Sequence, residues 1–391
     1  MSLFNRWSNV LEELREQERY RSFRLPTGID FTSNDYLGYG SSQPRAPLRG
    51  LRVAANQSGT SSRLLRGHHA VWDEVETMLA EWHGAEAVLM MNSGYNANEG
   101  LIATLAEPGD WVAADELSHA CIVDGLRLAR PRKFLFKHND LNHLEEGLKS
   151  EAAKRPAGRE MFIVTESLFS MDGDTAPLEE IAELANRYGA HVVVDEAHST
   201  GCFGERGAGT TTPARSVSEG HAKPLLTPRA GRDGILASVH TGGKALGLHG
   251  AYICGSKLLK EYLVNRCRHL IFTTALPAAI GEWWLERIPQ IQKDDAARSY
   301  LHLNAAIFRN RLGEHGIHPP GSHYVVPVIV GQDEPAVRAA KKLQEQGFDV
   351  RAIRPPSVPH GTCRLRISIH ADHDPAVLLQ LADAVAEAVR S

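Results

Sequence analysis

The stretch HVVVDEAHSTG, residues 191–201, places a run of apolar β-branched residues directly before Asp195, Glu196 and His198. A short apolar run of this kind reads as a strand buried on both faces, as in parallel sheets, and its polar tail places functional groups at the strand's C-terminal end. The letters DEAH also occur as the metal-holding motif of one class of helicases. That chemistry needs an upstream GxxxxGK loop, closed by Ser or Thr, whose backbone amides and lysine cradle phosphates. No such loop precedes residue 195; the nearest string, TGGKALG at 241–247, follows the strand and has Ala245 where the hydroxyl should stand. The helicase reading is set aside.

Outward from this strand, short apolar runs alternate with helix-length amphipathic stretches. AVLMMN at 87, DWVAAD at 110, KFLFKH at 133, EMFIVTES at 160, ILASVH at 235 and AYICG at 251 are further candidate strands. Between them lie helical patterns such as LNHLEEGLKSEAAK at 141 and PLEEIAELANRYG at 177, the latter opened by Pro and closed by Gly. The alternation predicts an α/β domain with a mainly parallel sheet. From residue 278 a long helical region, broken only by Pro289, leads to strands YVVPVIV, FDVRAI and CRLRISI and a last helix from Pro375. The expected organisation is an N-terminal helix and arm over 1–45, a large domain over 46–277 and a smaller α/β domain over 278–391. Residues 204–234 form a loop rich in Gly, Pro, Thr, Ser and Arg, with 215–233 reading as a surface insertion.

Composition narrows the function classes. The 391 residues hold 43 basic against 47 acidic side chains, a formal charge of -4, so no basic excess points to nucleic acid. The five cysteines are scattered without CxxC pairs, which favours a reducing compartment and argues against a metal site built on them. The first 23 residues form a charged amphipathic helix unlike a signal peptide, and no apolar run has spanning length. The expectation is a cytoplasmic protein with no membrane partner.

A strand ending in Asp195, followed by Lys244 in a small-residue loop, matches what a pyridoxal phosphate site requires. A lysine amine can form a Schiff base with the aldehyde, and a carboxylate keeps the pyridine nitrogen protonated so that the ring accepts electrons. Gly242 and Gly243 let the backbone beside Lys244 come close to a ligand.

With FTSNDYLG at 31, NSGYNAN at 92, ELSHACIVDG at 116, TESLFSMDGDTAPL at 165, VVVDEAHSTGCFGERG at 192, TGGKALG at 241 and FTTALP at 272, the chain resembles the α-oxoamine synthases over nearly its whole length. The resemblance implies pyridoxal 5′-phosphate as cofactor and the fold-type I transferase architecture of the aspartate aminotransferase type. IRPPSVPHGTCRLRISI at 353 is most similar to the branch that condenses L-alanine with a pimeloyl thioester, carried by coenzyme A or by an acyl carrier protein. Relatives that use glycine or serine, or other acyl chains, keep the same chemistry, and a paralogue that binds the cofactor without acyl transfer is the remaining alternative.

The resemblance assigns roles residue by residue. Lys244 is the Schiff-base lysine and general base, Asp195 the partner of the pyridine nitrogen, and His198 a hydrogen-bond partner of the cofactor's phenolic oxygen. His119 stacks on the ring. Gly94 and Tyr95, at a helix start, and Thr241 hold the phosphate. Thr273 and Thr274 reach the phosphate of the neighbouring subunit, which makes the site shared within a homodimer. Ser170 and Glu166 follow a strand, and the family places the serine beside the ring. Asn34 and Arg366 meet the substrate carboxylate, since a planar guanidinium binds carboxylate in two-pronged fashion. Arg364 lies two residues away on the same strand face, and the motif selects Arg366.

Three features depart from the family: Ser62 stands for a glycine in NQSGTSSRLLRGHH, Trp72 replaces a frequent histidine, and QPRAPLRGLRV at 43 replaces a helix. They border the expected entrance of the acyl donor.

Overall fold

A computed structural model describes residues 3–17, 19–21, 23, 25–40, 48, 59–211 and 234–390. The segment QPRAPLRGLRV, apart from Leu48, and the 215–233 insertion lie outside the described residues.

The strands are β1 (Ile29–Asp30), β2 (Ala87–Met91), β3 (Trp111–Asp115), β4 (Arg132–Phe136), β5 (Met161–Glu166), β6 (His191–Asp195), β7 (Ile235–Thr241), β8 (Ala251–Gly255), β9 (Val325–Gly331), β10 (Phe348–Asp349), β11 (Arg351–Ile353) and β12 (Cys363–Ser368). Seven of them form the central sheet in the order β2-β8-β7-β6-β5-β3-β4. The pairs from β7 through β6, β5 and β3 to β4 are parallel, and β8 runs antiparallel to both of its neighbours. All seven strands expected in the first two thirds of the chain are present. The near-continuous burial of β3, β5 and β6 explains why they lack polar alternation, with apolar clusters that include helix residues on both faces of the sheet, whereas the edge strand β4 is largely exposed.

The parallel arrangement has a direct consequence for function. Asp115, Glu166, Asp195 and Thr241 are the last residues of β3, β5, β6 and β7, so four polar side chains gather along one edge of the sheet. In open α/β sheets this carboxyl edge is where ligands bind.

The C-terminal part holds an antiparallel sheet, β11-β12-β9, while β10 pairs in parallel with β1 and ties the N-terminal arm to it. FDVRAI is therefore split between two sheets at Val350. The expected break at Pro289 is also corrected. One helix, Ala278–Lys293, continues through Pro289, and the chain turns at Asp294, whose carboxylate accepts from the Ala297 N–H at 3.0 Å and caps the helix Asp295–Glu314. A side-chain cap satisfying an orphan amide fixes a helix boundary more firmly than the proline did. Among the described residues no helix is long and apolar enough to cross a membrane.

Candidate active site

Lys244 sits in the turn between β7 and β8. The glycines around it serve packing as much as access. A Cβ on Gly242 would come within 2.6 Å of the Trp284 ring, and one on Gly247, at φ +59°, within 2.6 Å of Tyr39. Only Gly243, exposed and with nothing nearer than 3.9 Å, leaves its face open. Beside this turn a cleft of about 620 Å³ is lined by Asn34, Asp35, Lys244, Leu248, His370 and Asp372, among others.

Asp195, buried at the end of β6, accepts from Asn98 Nδ2 at 2.7 Å and from the Ala197 N–H at 2.8 Å. Its strand neighbour in register is Glu166, also buried, which accepts from the His119 N–H at 2.7 Å. Burial raises the Glu166 pKa, and the adjacent Asp195 charge adds to it. The same burial lowers the Lys244 pKa against the pull of Asp195 and Glu166, with Arg366 pushing in the same direction as burial. A lysine so placed is a better nucleophile and base near neutral pH than a free one.

His198 is buried, and its Nδ1 lies 2.7 Å from the Tyr36 hydroxyl. Burial first, then Lys244 and Arg366, hold its pKa well below the ordinary range, so the ring is neutral. The Tyr36 hydroxyl, pushed up to about 12 by burial, also meets Asn34 Oδ1 at 3.0 Å.

Arg366 extends this network from β12. Its Nη2 donates to Asn34 Oδ1 at 2.9 Å, its Nε to the Ser170 carbonyl at 2.6 Å and its Nη1 to Ser368 Oγ at 2.9 Å. These acceptors are neutral, although the guanidinium is buried. A buried cation with neutral partners has strong affinity for a carboxylate. Arg364 differs: its Nη1 pairs with Asp172 Oδ1 at 2.7 Å, so its charge is already answered.

The helix Gly94–Leu105 begins immediately after β2, capped by Ser93. Gly94 lies close to Thr241, whose side chain a Gly94 Cβ would meet at 3.4 Å. Free amides at a helix start beside a hydroxyl make a phosphate cradle. Tyr95 turns its hydroxyl to Asp124. Thr273 Oγ1 and the Thr274 carbonyl accept from Asn92 of the same chain at 3.2 and 2.8 Å. His119 is the N-cap of the helix Ala120–Ala129, its side chain accepting from the Cys121 N–H.

Lys244, Asp195, Glu166, His119, His198 and Arg366 thus fall within one electrostatic neighbourhood. Reading the sequence alone did not single out Asn98 or Tyr36. Asn98 lies inside NSGYNAN, one helical turn beyond Gly94, which is the signal that could have found it.

The aminotransferase class I and II family model matches residues 26–385. The chain is similar to the 8-amino-7-oxononanoate synthase of Chlorobaculum parvum, 39% identical over 97% of this chain and 96% of that one. It is also similar to the protein of that name from Geobacter sulfurreducens, 40% identical over 96% of each. Among solved structures, a serine palmitoyltransferase variant of S. paucimobilis with bound PLP and myriocin superposes with a TM-score of 0.83, at 26% identity over 100% of this chain and 99% of that one. The serine palmitoyltransferase of Sphingomonas wittichii gives 0.82 at 25% identity, covering 100% and 98%.

Proposed function

Since the chain belongs to the aminotransferase class I and II family, as a pyridoxal-phosphate-dependent acyltransferase of the α-oxoamine synthase group, we propose that it condenses L-alanine with a pimeloyl thioester. The product is 8-amino-7-oxononanoate, with loss of carbon dioxide and of the thiol, a step of biotin biosynthesis. The observation that carries the amino-acid half is the buried Arg366, held by neutral acceptors within electrostatic reach of Lys244. Similarity at about 40% identity to proteins named for the product supports the acyl half.

The residues fit the cofactor. A buried carboxylate, a half-buried lysine of lowered pKa and a helix start beside Thr241 supply a pyridinium partner, an amine and a phosphate cradle. When bound, pyridoxal 5′-phosphate supplies an aldehyde for amines and a ring that accepts an electron pair. Asp195 would hold its nitrogen protonated, oriented by Asn98. Gly94, Tyr95 and Thr241 would hold the phosphate, and His198, held in place by Tyr36, would hydrogen-bond the cofactor's phenolic oxygen. His119 and Ser170 would border the ring.

Arg366 and Asn34 then hold the substrate carboxylate, and the Lys244 amine takes the α-proton. The lowered pKa keeps part of that amine neutral near physiological pH, as a base must be. We propose a homodimer in which Thr273 and Thr274 reach the partner's phosphate.

The test is thiol release by the cofactor-loaded protein, over alanine, glycine and serine against pimeloyl-, acetyl-, succinyl- and palmitoyl-coenzyme A. Release confined to alanine with pimeloyl is expected. Release with another pair replaces the substrate. Silence with every pair, and with a pimeloyl carrier protein, overturns the catalytic reading in favour of a non-catalytic paralogue.

A further inference from the structure

Two donors converge on one nitrogen of His119. The Cys121 backbone N–H donates to His119 Nδ1 at 3.3 Å, and Cys121 Sγ lies 3.0 Å from the same atom. A backbone amide offers no lone pair in return, so Nδ1 is the acceptor and the neutral imidazole carries its proton on Nε2. Burial, and then the Asp195 and Glu166 charges, push the Cys121 thiol well above its usual range, so the sulfur also keeps its proton and donates. The main chain of His119 is anchored separately, by its N–H on Glu166. Among the described residues no hydrogen-bond partner engages Nε2.

We infer that Cys121 is a positioning residue: its thiol and its amide hold His119 as the Nε2–H tautomer, so that the ring presents a donor to an acceptor oxygen of the bound substrates. The inference rests on the proposed function only in placing His119 beside cofactor and substrate. An imidazole in the other tautomer would offer a lone pair at Nε2 and repel such an oxygen. The charges that bear on this ring are Asp195, which favours the imidazolium, and Lys244, which opposes it together with burial; the net direction is downward. Tyr95 faces the ring edge-on at 6.2 Å, with its hydroxyl turned to Asp124. A donor on Nδ1 lowers proton affinity at that nitrogen, so losing the thiol raises the His119 pKa.

The experiment is nitrogen NMR of histidine-labelled holoenzyme across pH, with the His119 signals identified by their loss in His119→Gln. The expected wild-type spectrum has the proton on Nε2. In Cys121→Ala the midpoint of His119 protonation moves up by about one pH unit, a roughly tenfold change in the charged-to-neutral ratio at fixed pH. Cys121→Ser, whose hydroxyl also donates, restores the wild-type midpoint. Cys121→Val gives the same reading as alanine should the smaller variant not fold. A proton on Nδ1 in the wild type, or an unmoved midpoint in both donor-less variants, overturns the inference. The acid limb of kcat/KM for thiol release should move with the NMR midpoint. Absence of thiol release in the wild type would sink the proposed reaction while leaving the NMR result to decide this inference.

Discussion

Arg366 Nη2 donates to Asn34 Oδ1 across 2.9 Å, joining residues 332 positions apart and closing the N-terminal arm over the carboxyl edge of the sheet. The contact matters because its acceptor is neutral, which leaves the guanidinium's charge available to a substrate carboxylate.

Replacing Arg366 by Ala should raise KM for the amino acid by about 30-fold or more, from roughly 2–5 kcal/mol lost on truncating a buried charge contact. Arg366→Lys should recover only part, because an ammonium does not reproduce the planar fork. Arg364→Ala should instead cost stability, by about 3 kcal/mol, since it strands the Asp172 carboxylate. Steady-state kinetics and chemical denaturation of the three variants separate these effects, and equal KM changes at both positions would remove the distinction.

Lys244→Ala should lose the covalent cofactor linkage and at least about a thousandfold in turnover, because nucleophile and base are removed together. Mass spectrometry after borohydride reduction checks the linkage. Full activity in this variant would defeat the assignment of the lysine.

Asn98→Ala should weaken cofactor binding by about tenfold, since Asp195 loses a charge-assisted hydrogen bond of roughly 1.5–3 kcal/mol. Asn98→Asp should weaken it further, by setting a second carboxyl group against the first. Absorbance titration of apoprotein with pyridoxal 5′-phosphate measures both.

His138 bridges Asp115 at 2.9 Å and Asp174 at 2.8 Å, and so ties the end of β3 to the loop that carries Ser170. Burial opposes its charge, but the two carboxylates outweigh burial and raise its pKa to about 10. The folded value lies above the ordinary 6.5, so the stabilisation is complete below about 6.5 and is lost as pH rises through about 10. Denaturant midpoints should fall across that window, and His138→Asn should flatten the fall. An unchanged slope in the variant would assign the pH dependence to other groups.

The inner strands of the central sheet were legible in the sequence because burial on both faces makes them short apolar runs, and Asp195 and Lys244 stood out against that background. Helix ends were less legible: the turn at Asp294 depends on one side chain reaching the Ala297 amide, a local competition that a proline five residues earlier obscures. The choice between Arg364 and Arg366 was beyond periodicity, since both sit on the same face of β12, and the motif alone preferred one of them. The fold distinguishes them by geometry, through the Asp172 carboxylate that reaches only the first. Asn98 and Cys121 were hidden for a related reason. Each acts through a neighbour, and a hydrogen bond to Asp195 from 97 residues away exists only once the helix Gly94–Leu105 has packed against the sheet. Sequence by itself determined which chemistry-bearing residues are present and the order of the elements that carry them. Tertiary structure decided which charges are answered and which remain open to a ligand, because desolvation and pairing depend on distance in space and not along the chain.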